Sequence, residues 1–348
     1  MTAGGARPSR KRVTMRDVAT FAGVGLTTVS RVVNGVLVDP VLTAQVRDAV
    51  EQLGYRHDAT ASNLRRTDRR TDTVGLVLED VANPFSSSLH RAVEDVVAER
   101  GLLLLTGSSD EDPARERSLL TSLLTRRVDG LVVLPTGEVG AELASARQFG
   151  TPVVCVDRML ALDGVDTVTV DNAGGIAEAV QRLTSLGHRK IAFLGDRTSL
   201  WTAQQRWDGF VAAMTQARCA VRTSWARRDI HDAAAAESAT TEIFTGRNSP
   251  TALITAQNLL TIGARRVLQK LQLHHSVAHV GFDDFEMADL LDPPLSVVAQ
   301  DPAEIGRTAA TMLLARLDGD SSPARHVVLP TRYLARGSGE IPGDLEIS

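Results

Sequence analysis

The chain has 348 residues, of which 43% are hydrophobic and 23% are charged, a composition typical of globular proteins. No apolar run approaches the roughly 20 residues that a membrane-spanning helix needs, and the polar, basic N-terminus lacks the apolar segment of a signal peptide. Cys155 and Cys219 do not have the spacing of a disulfide framework or a zinc site. We therefore expect a soluble, cytoplasmic protein that binds no metal.

The formal net charge of -4 conceals an uneven distribution of charge. Residues 1–70 contain twelve Lys or Arg and six Asp or Glu, whereas the rest of the chain contains 26 and 36. A small basic segment ahead of a larger acidic one indicates that the basic segment binds a polyanion. A basic tail in solvent would have the same charge, so the pattern of residues has to decide between the two.

The basic segment has the pattern of three short helices. Thr14 and Asp17 form a capping box at the start of the first, and Gly23 ends it. The second covers Leu26–Val33, with valines on its inner face at helical spacing. The third begins after Asp39, an N-cap followed by proline. Two short helices joined by a glycine turn and supported by a third indicate a helix-turn-helix DNA-binding unit.

From Val74 onward, short apolar runs alternate with amphipathic segments of helix length. The runs are 74–78, 102–105, 130–134, 153–156, 191–194, 253–255, 277–281 and 327–329. This alternation predicts parallel sheets covered on both faces by helices, and its length predicts two similar lobes with a cleft between them. Ligands of such sheets bind beyond the carboxyl ends of the strands, so the polar residues after each run are candidate ligand contacts.

Several stretches of the sequence occur together in one known family. They are VTMRDVA (13–19), AGV (22–24), TVSRVVNG (28–35), LGY (53–55), NPF (83–85), VDR (156–158), VDN (170–172), LGHRKIA (186–192), VGFDD (280–284) and PPL (293–295). In this order they resemble the LacI/GalR (lactose-repressor/galactose-repressor) family over nearly the whole chain. The resemblance implies an all-α helix-turn-helix head plus an α/β, two-lobed, periplasmic-binding-protein-like body with parallel sheets. It also implies a homodimer on a palindromic double-stranded DNA operator, and a small-molecule effector, such as a sugar, in the interlobe cleft.

Four segments follow from the patterns and the resemblance. Residues 1–12 are a basic N-terminal arm, 13–57 the helix-turn-helix domain, 58–72 a hinge helix and linker, and 73–348 the two-lobed effector-binding and dimerisation domain. The linker is too short and polar to hold a helix alone in water, so we expect it to become helical only when bound.

The second helix carries the predicted base contacts. Leu26, Thr27 and Arg31 point away from the valine face, and an arginine in the major groove typically pairs with guanine. Pairing of Arg31 with a phosphate is the alternative. Contacts to phosphates, which position the protein without reading sequence, are predicted for Thr14, Thr28, Ser30 and Asn34.

The resemblance gives the linker a second role on DNA. Leu64 corresponds to the leucine that enters the minor groove, where an apolar wedge bends the duplex; packing on the body's own surface is the alternative. Ala61 would let paired linker helices approach closely, and Arg65 and Arg66 would meet phosphates.

Two departures from the family occur in the head. Gly25 stands where a serine commonly caps the second helix, and Leu42-Thr43 replaces a common Thr-Arg pair. We therefore expect DNA affinity to depend more on the basic arm.

The family's effector residues correspond to Asp157, Arg206 and Asp283, with Phe85 and Gln257 as further candidates. Paired carboxylates bind sugar hydroxyls, and an arginine binds hydroxyls or an anionic group. A turn at the strand end, or an ion pair with the following arginine, is the alternative role for Asp157.

The cleft also departs from the family. Gln257-Asn258 replaces the usual Asn-Asp, and Pro302 replaces an aromatic residue. Besides Phe85, the candidate stacking rings are Trp201 and Trp207. These changes argue against a plain hexose as the effector.

Rival functions lack their motifs. The chain has no Walker loop, no Gly-x-Gly-x-x-Gly after a strand, no metal-binding histidine pair and no Gly-x-Ser-x-Gly elbow, so we expect neither an enzyme nor a cofactor. A solute-binding protein of a transporter would need a signal peptide and would not carry the DNA-binding head. One alternative stays open, a DNA-binding regulator without a classical inducer, whether co-repressed, constitutive or activating.

Overall fold

The computed structural model describes residues 13–33, 35–55, 70–160 and 162–343. The chain divides into two compact units, Met1–Thr71 and Asp72–Ser348. The described parts of these units are called the head and the body below. Within the described ranges, no helix combines the length and the apolar character needed to cross a membrane.

The head contains three helices at the predicted positions: α1 (Met15–Ala22), α2 (Leu26–Val33) and α3 (Pro40–Leu53). The capping box of α1 is formed, since the Thr14 N–H donates to the Asp17 carboxylate at 2.8 Å and the Asp17 N–H donates to the Thr14 hydroxyl at 3.4 Å. Asp39 caps α3, while Gly23 and Gly54 end α1 and α3 in the left-handed conformation that glycine adopts without strain.

The core of the head is small. Its buried side chains are Val18, Ala19, Val29, Val46 and Ala49, surrounded by partly buried apolar residues from all three helices. A domain of this size buries a smaller fraction of its surface than a larger domain does, so the head depends strongly on each of these side chains.

The first lobe of the body is built on a parallel six-stranded sheet. Its strands are β1 (Thr73–Leu78), β2 (Leu103–Ser108), β3 (Gly130–Val133), β4 (Val153–Val156), β5 (Asp166–Val170) and β11 (His326–Leu329), in the order β2-β1-β3-β4-β5-β11. Helices α4 (Pro84–Glu99) and α11 (Pro302–Leu317) pack on one face, and α5 (Pro113–Thr125) and α6 (Gly140–Gln148) pack on the other.

The second lobe repeats this plan. Its strands are β6 (Ile191–Leu194), β7 (Ala226–Arg227), β8 (Ala252–Thr255), β9 (Ala278–Phe282), β10 (Ser296–Ala299) and β12 (Arg332–Leu334), in the order β7-β6-β8-β9-β10-β12, and only β12 pairs antiparallel. Helices α7 (Asn172–Ser185) and α8 (Trp201–Gln216) cover one face, and α9 (Ala233–Phe244) and α10 (Asn258–Lys270) cover the other.

The chain passes between the lobes at three places: from β5 to α7, from β10 to α11, and from β11 to β12. The first and third passages are bonded to each other, because the Asp171 N–H donates to the Leu329 carbonyl at 3.0 Å. The predicted fold class, a helical head and a two-lobed α/β body, is therefore confirmed.

All eight predicted apolar runs are strands, with ends that differ by at most three residues. Four strands, β5, β7, β10 and β12, were not predicted from the sequence. β5 reads DTVTV, which alternates polar and apolar residues, and the other three are only two to four residues long. Such strands exist because the neighbouring strand offers hydrogen bonds, a cause that local sequence does not display.

Candidate functional site

Helix α2 exposes one face of the head. Leu26 is 41% exposed, Thr27 and Arg31 are also exposed, and Val29 on the opposite face is fully buried. One Arg31 N–H lies 3.5 Å from the Leu37 carbonyl oxygen, which is a long contact for a side chain with five donors. The three side chains predicted to reach bases therefore share a solvent-facing surface.

The predicted phosphate contacts are in several environments. The Thr14 hydroxyl donates to the Asp17 carboxylate at 2.8 Å within the capping box, and Thr28 and Ser30 are half-buried. At the start of α2, the Gly25 carbonyl accepts from the Thr28 and Val29 N–H groups at 2.9 and 3.2 Å. The predicted contacts that lie outside the described residues are Asn34, Ala61, Leu64, Arg65 and Arg66.

In the body, each lobe places an aspartate directly after a strand at the carboxyl edge of its sheet. Asp157 follows β4 with φ 64°, and Asp283 follows β9 with φ 70°. Their N–H groups donate to Val168 and Val298, on the neighbouring strands, at 2.8 and 2.9 Å. A left-handed backbone at residues other than glycine costs free energy, and such positions concentrate at functional sites. The two lobes thus present equivalent carboxylates.

Asp157 belongs to a buried cluster organised by Arg158. The Arg158 guanidinium binds Glu111 through two N···O contacts of 2.5 and 2.9 Å and donates to the Pro135 carbonyl at 3.1 Å. It also lies 3.6 Å from Asp157 and 3.9 Å from Glu79. One cation therefore lies within 4 Å of three carboxylates. Burial acts to lower the pKa of Arg158, but the three carboxylates outweigh it and the pKa is raised.

Arg206 organises the opposite lobe. Its Nε donates to Asn172 and one of its terminal nitrogens donates to the Ala256 carbonyl, both at 2.7 Å. The guanidinium carbon lies 3.8 Å from the centre of the Phe282 ring, and a terminal nitrogen is 4.0 Å from Asp283. This geometry requires α7 and α8 to be close, and a side chain at Gly209 would meet the Ala173 backbone at 2.6 Å.

The lobes touch through amide side chains near the cleft. Asn258 donates to the Asn83 side-chain oxygen at 3.0 Å, which joins α10 of the second lobe to the start of α4 in the first. Gln257 caps α10 by accepting from the Leu259 and Leu260 N–H groups. Its amide nitrogen lies 3.5 Å from Asp196, which also binds His231 at 2.9 Å. The Gln257-Asn258 pair thus stabilises a helix start and an interlobe contact.

A cavity of about 460 Å³ lies between the lobes, within the size range of small-molecule sites. Phe85, on α4, contributes to its wall from the first lobe, and Asp283 contributes from the second. The second lobe and the passage to α11 also supply polar lining residues, which are Asp284, Glu286, Asp289, Gln300 and Arg336.

Burial controls protonation at this site. It raises the pKa of both Asp157 and Asp283, an effect that Arg158 and Arg206 only partly offset. Burial also raises the pKa of Glu79 to about 7, with Arg158 acting against it, and the charges of His231 and Asp196 in the other lobe act on the same carboxyl. A hydrogen bond to Asp196 raises the pKa of His231.

Replacing Glu79 by glutamine tests this effect. The folded protein holds the Glu79 proton up to a pH of about 7, whereas the ordinary pKa is 4.5, so the wild type loses stability as pH rises across that window. We expect Glu79→Gln to lose less stability than the wild type between pH 5 and pH 8, by on the order of 2–3 kcal/mol. Urea unfolding of the full chain at both pH values measures this difference.

The control for Glu79→Gln is Glu94→Gln, the same change at a side chain that is 43% exposed on α4. This variant should keep the wild-type dependence on pH. If the two variants had the same pH profile, Glu79 would not be a buried titrating group.

The structure brings Arg206 and Asp283 to 4.0 Å of each other in the second lobe, while Asp157 lies in the first lobe, 3.6 Å from Arg158. Trp207 packs against Phe193 and Phe210 with ring centres 5.4 and 5.8 Å away, which assigns this ring to the core of the second lobe.

Four further polar residues that lie beside these groups were not predicted from the sequence. They are Glu79, Glu111, Asp196 and His231. Three of them directly follow β1, β2 or β6 within three residues, so the rule about polar residues after strands could have found them. His231 comes after the two-residue strand β7, which gives almost no signal.

Comparisons with known proteins cover both units. The model of bacterial regulatory proteins of the lacI family matches residues 14–58, and the model of a periplasmic binding protein-like domain matches residues 180–339. The HTH-type transcriptional regulator PtxS of Pseudomonas aeruginosa is 32% identical over 342 residues, which cover 96% of this chain and 98% of PtxS. The ribose operon repressor of Escherichia coli is 30% identical over 331 residues, which cover 93% of this chain and 99% of that repressor.

Among solved structures, the Lac repressor dimer bound to operator and the anti-inducer ONPF is similar, with a TM-score of 0.84 and 25% sequence identity. The match covers 94% of this chain and 99% of that one. Both curated relatives match almost end to end, through the head as well as the body. The chain therefore belongs to the lacI family of bacterial regulatory proteins.

Proposed function

We propose that this protein represses transcription by binding a palindromic double-stranded DNA operator as a homodimer, and that a small-molecule effector in the interlobe cleft changes its affinity for that operator. One observation carries the proposal. A helix-turn-helix head with an exposed face on α2 and a two-lobed body with a polar cavity occur on the same chain. The names of the ribose operon repressor and of the operator-bound Lac repressor support the same role.

The effector would act by a shift of populations. A ligand held between the lobes favours the arrangement that it binds more tightly, and DNA affinity changes by the difference in affinity between the two arrangements. The linker 58–72, with Leu64 as its wedge into the minor groove, would connect the cleft to the DNA. We assign no catalytic role to the charged residues described at the cleft, since they neutralise and orient one another.

A regulator without a classical inducer is the second candidate, and the amide pair favours it. Gln257 is engaged in the cap of α10, and Asn258 is engaged with Asn83 across the lobes. A ligand would compete with bonds that are already formed at these two positions.

Selection of genomic fragments by the full-length protein tests the proposal for DNA. We expect the protein to enrich fragments that share one inverted repeat, and to protect both half-sites from cleavage. Enrichment of no inverted repeat over bulk DNA would contradict the proposal.

Arg31 is expected to supply sequence preference within each half-site. Arg31→Ala should lower the ratio of operator affinity to random-DNA affinity roughly 5- to 150-fold, because a bidentate pair with guanine is lost. This factor corresponds to about 1–3 kcal/mol of discrimination between bases. Arg31→Lys is the matched control, since lysine keeps the charge but lacks the planar fork. A contact to guanine predicts that both variants lose preference in equilibrium titrations, whereas full preference in Arg31→Lys would assign Arg31 to a phosphate.

A further inference from the structure

The cavity between the lobes has an excess of negative charge. Its lining includes the carboxylates of Asp283, Asp284, Glu286 and Asp289, whereas Arg336 is the one basic side chain among the described residues of that lining. Arg336 forms an ion pair with Asp284, with two N···O contacts of 2.6 Å.

The neighbouring cations are also committed. Arg158 is bound to Glu111 through two contacts and to the Pro135 carbonyl, and Arg206 is bound to Asn172 and to the Ala256 carbonyl. Each arginine therefore makes its shortest hydrogen bonds to acceptors of the protein itself. An anionic ligand would meet several carboxylates before it met an available cation.

A separate observation concerns buried oxygens that have no hydrogen-bond partner. The Asp157 Oδ1 atom is one, and its side chain is only 8% exposed. Asp157 directly follows β4 at the carboxyl edge of the first sheet. Asn83, after β1 of the same sheet, reaches Asn258 of the second lobe, so Asp157 lies at the edge of the first lobe that faces the second. Gln300 lines the cavity and holds a second such oxygen, Oε1. Buried acceptors without a donor are costly, so a ligand that donates to these two oxygens would relieve that cost.

We propose that the effector is a small polyhydroxylated molecule that carries a protonated amine, of which an amino sugar is the simplest form, with the amine held between the carboxylates of Asp157 and Asp283. This inference rests on the proposed function, because it takes the cleft to be the effector site. The hydroxyls would donate to the remaining acceptors, and Phe85 would offer its ring to the cation or to an apolar face of the sugar.

Burial supports the placement of a cation here. It raises the pKa of Asp157 and of Asp283, which means that the folded protein holds both carboxylates at a cost. A ligand ammonium between them would stabilise their charged forms, as an opposite charge at close range does in general.

The test uses three sugars with one scaffold and three charges: glucosamine, glucose and glucuronate, at a pH where the amine is protonated. The galactose and mannose series are included so that stereochemistry does not decide the outcome. Binding to the full-length protein is measured by calorimetry and by the shift in melting temperature, which rises with ligand concentration over Kd. We expect an amine in at least one series to bind ten times or more tighter than its neutral counterpart, with the uronate weakest.

Two variants connect this preference to the residues. Asp157→Asn and Asp283→Asn keep the shape of the side chain and remove its charge, and each should reduce the preference for amine over neutral sugar to about twofold or less. Asp95→Asn, at an exposed carboxylate on α4 that pairs with Arg91, should keep the wild-type preference.

Tighter binding of a uronate or a neutral sugar would overturn the inference, and so would the absence of binding by the amine of every series. These outcomes are separate from a failure of the proposed function. A protein that selects an inverted repeat but binds none of the amines refutes the inference alone, whereas a protein that selects no inverted repeat refutes the proposed function whatever the amines do.

Discussion

Replacing Arg158 by methionine is expected to lower the free energy of unfolding of the body by about 3–5 kcal/mol. Removal of the cation of a buried ion pair leaves the carboxylate charge buried and uncompensated. Glu111, Asp157 and Glu79 would lose the cation that lies within 4 Å of all three. Methionine retains much of the volume of the arginine stem, so the loss reports mainly on charge. Urea unfolding of the full chain at pH 8 measures it.

The same variant should depend on pH in a defined direction. Arg158 lowers the pKa of Asp157 and of Glu79 in the wild type. Without it, the folded protein would hold these protons to a still higher pH than the wild type does, so stability would fall more steeply as pH rises. The loss caused by Arg158→Met should therefore be smaller at pH 5 than at pH 8.

Arg91→Met is the matched control for Arg158→Met. Arg91 pairs with Glu94 and Asp95 on the surface of α4, with 70% of its side chain exposed. Exposed ion pairs contribute about 0–1 kcal/mol, so this variant should unfold almost as the wild type does. Equal losses in the two variants would mean that the Arg158 cluster is solvated.

Replacing Val29 by aspartate is expected to unfold the head and to abolish sequence-specific DNA binding, while the body keeps its own melting transition. Val29 is fully buried in a core that has four other buried side chains among the described residues of the head. A carboxylate there has no cation to pair with among the residues of that core, and a buried unpaired charge costs several kcal/mol. Specific operator affinity should fall by about three orders of magnitude or more, to the level of non-specific binding. Operator titration and calorimetry of the same preparation separate the two effects.

The control for Val29→Asp is Val41→Asp, the same chemical change on α3 at a side chain that is 64% exposed. The head of this variant should stay folded. An operator complex of wild-type strength with Val29→Asp would show that the buried face of α2 does not hold the head together.

Local sequence was sufficient to predict the head. Thr14, Asp39 and the glycines at 23 and 54 determine the helix ends through contacts with residues at most a few positions away. The apolar runs likewise predicted eight strands of the body, because buried parallel strands are continuously apolar. The strand β5 was not predicted from the apolar runs, because its polar residues are buried by partners elsewhere in the chain. Asp166, for example, binds Arg316, 150 residues away.

The candidate site was predicted only in part, for the same reason. The rule that ligands bind after strand ends, together with the family resemblance, pointed to Asp157 and Asp283. Neither of them showed that Arg158 is bound to Glu111 or that Arg206 is bound to Asn172. Each of these hydrogen bonds joins residues more than 30 positions apart.

Spacing of residues along the chain thus determined which elements form and which end of each sheet carries polar groups, because helix caps and strand burial are local or periodic properties. Only the tertiary structure decided which charges are already neutralised and which oxygens still need a donor. Both depend on side chains that approach from distant parts of the chain, and on the burial that makes an unmatched charge costly.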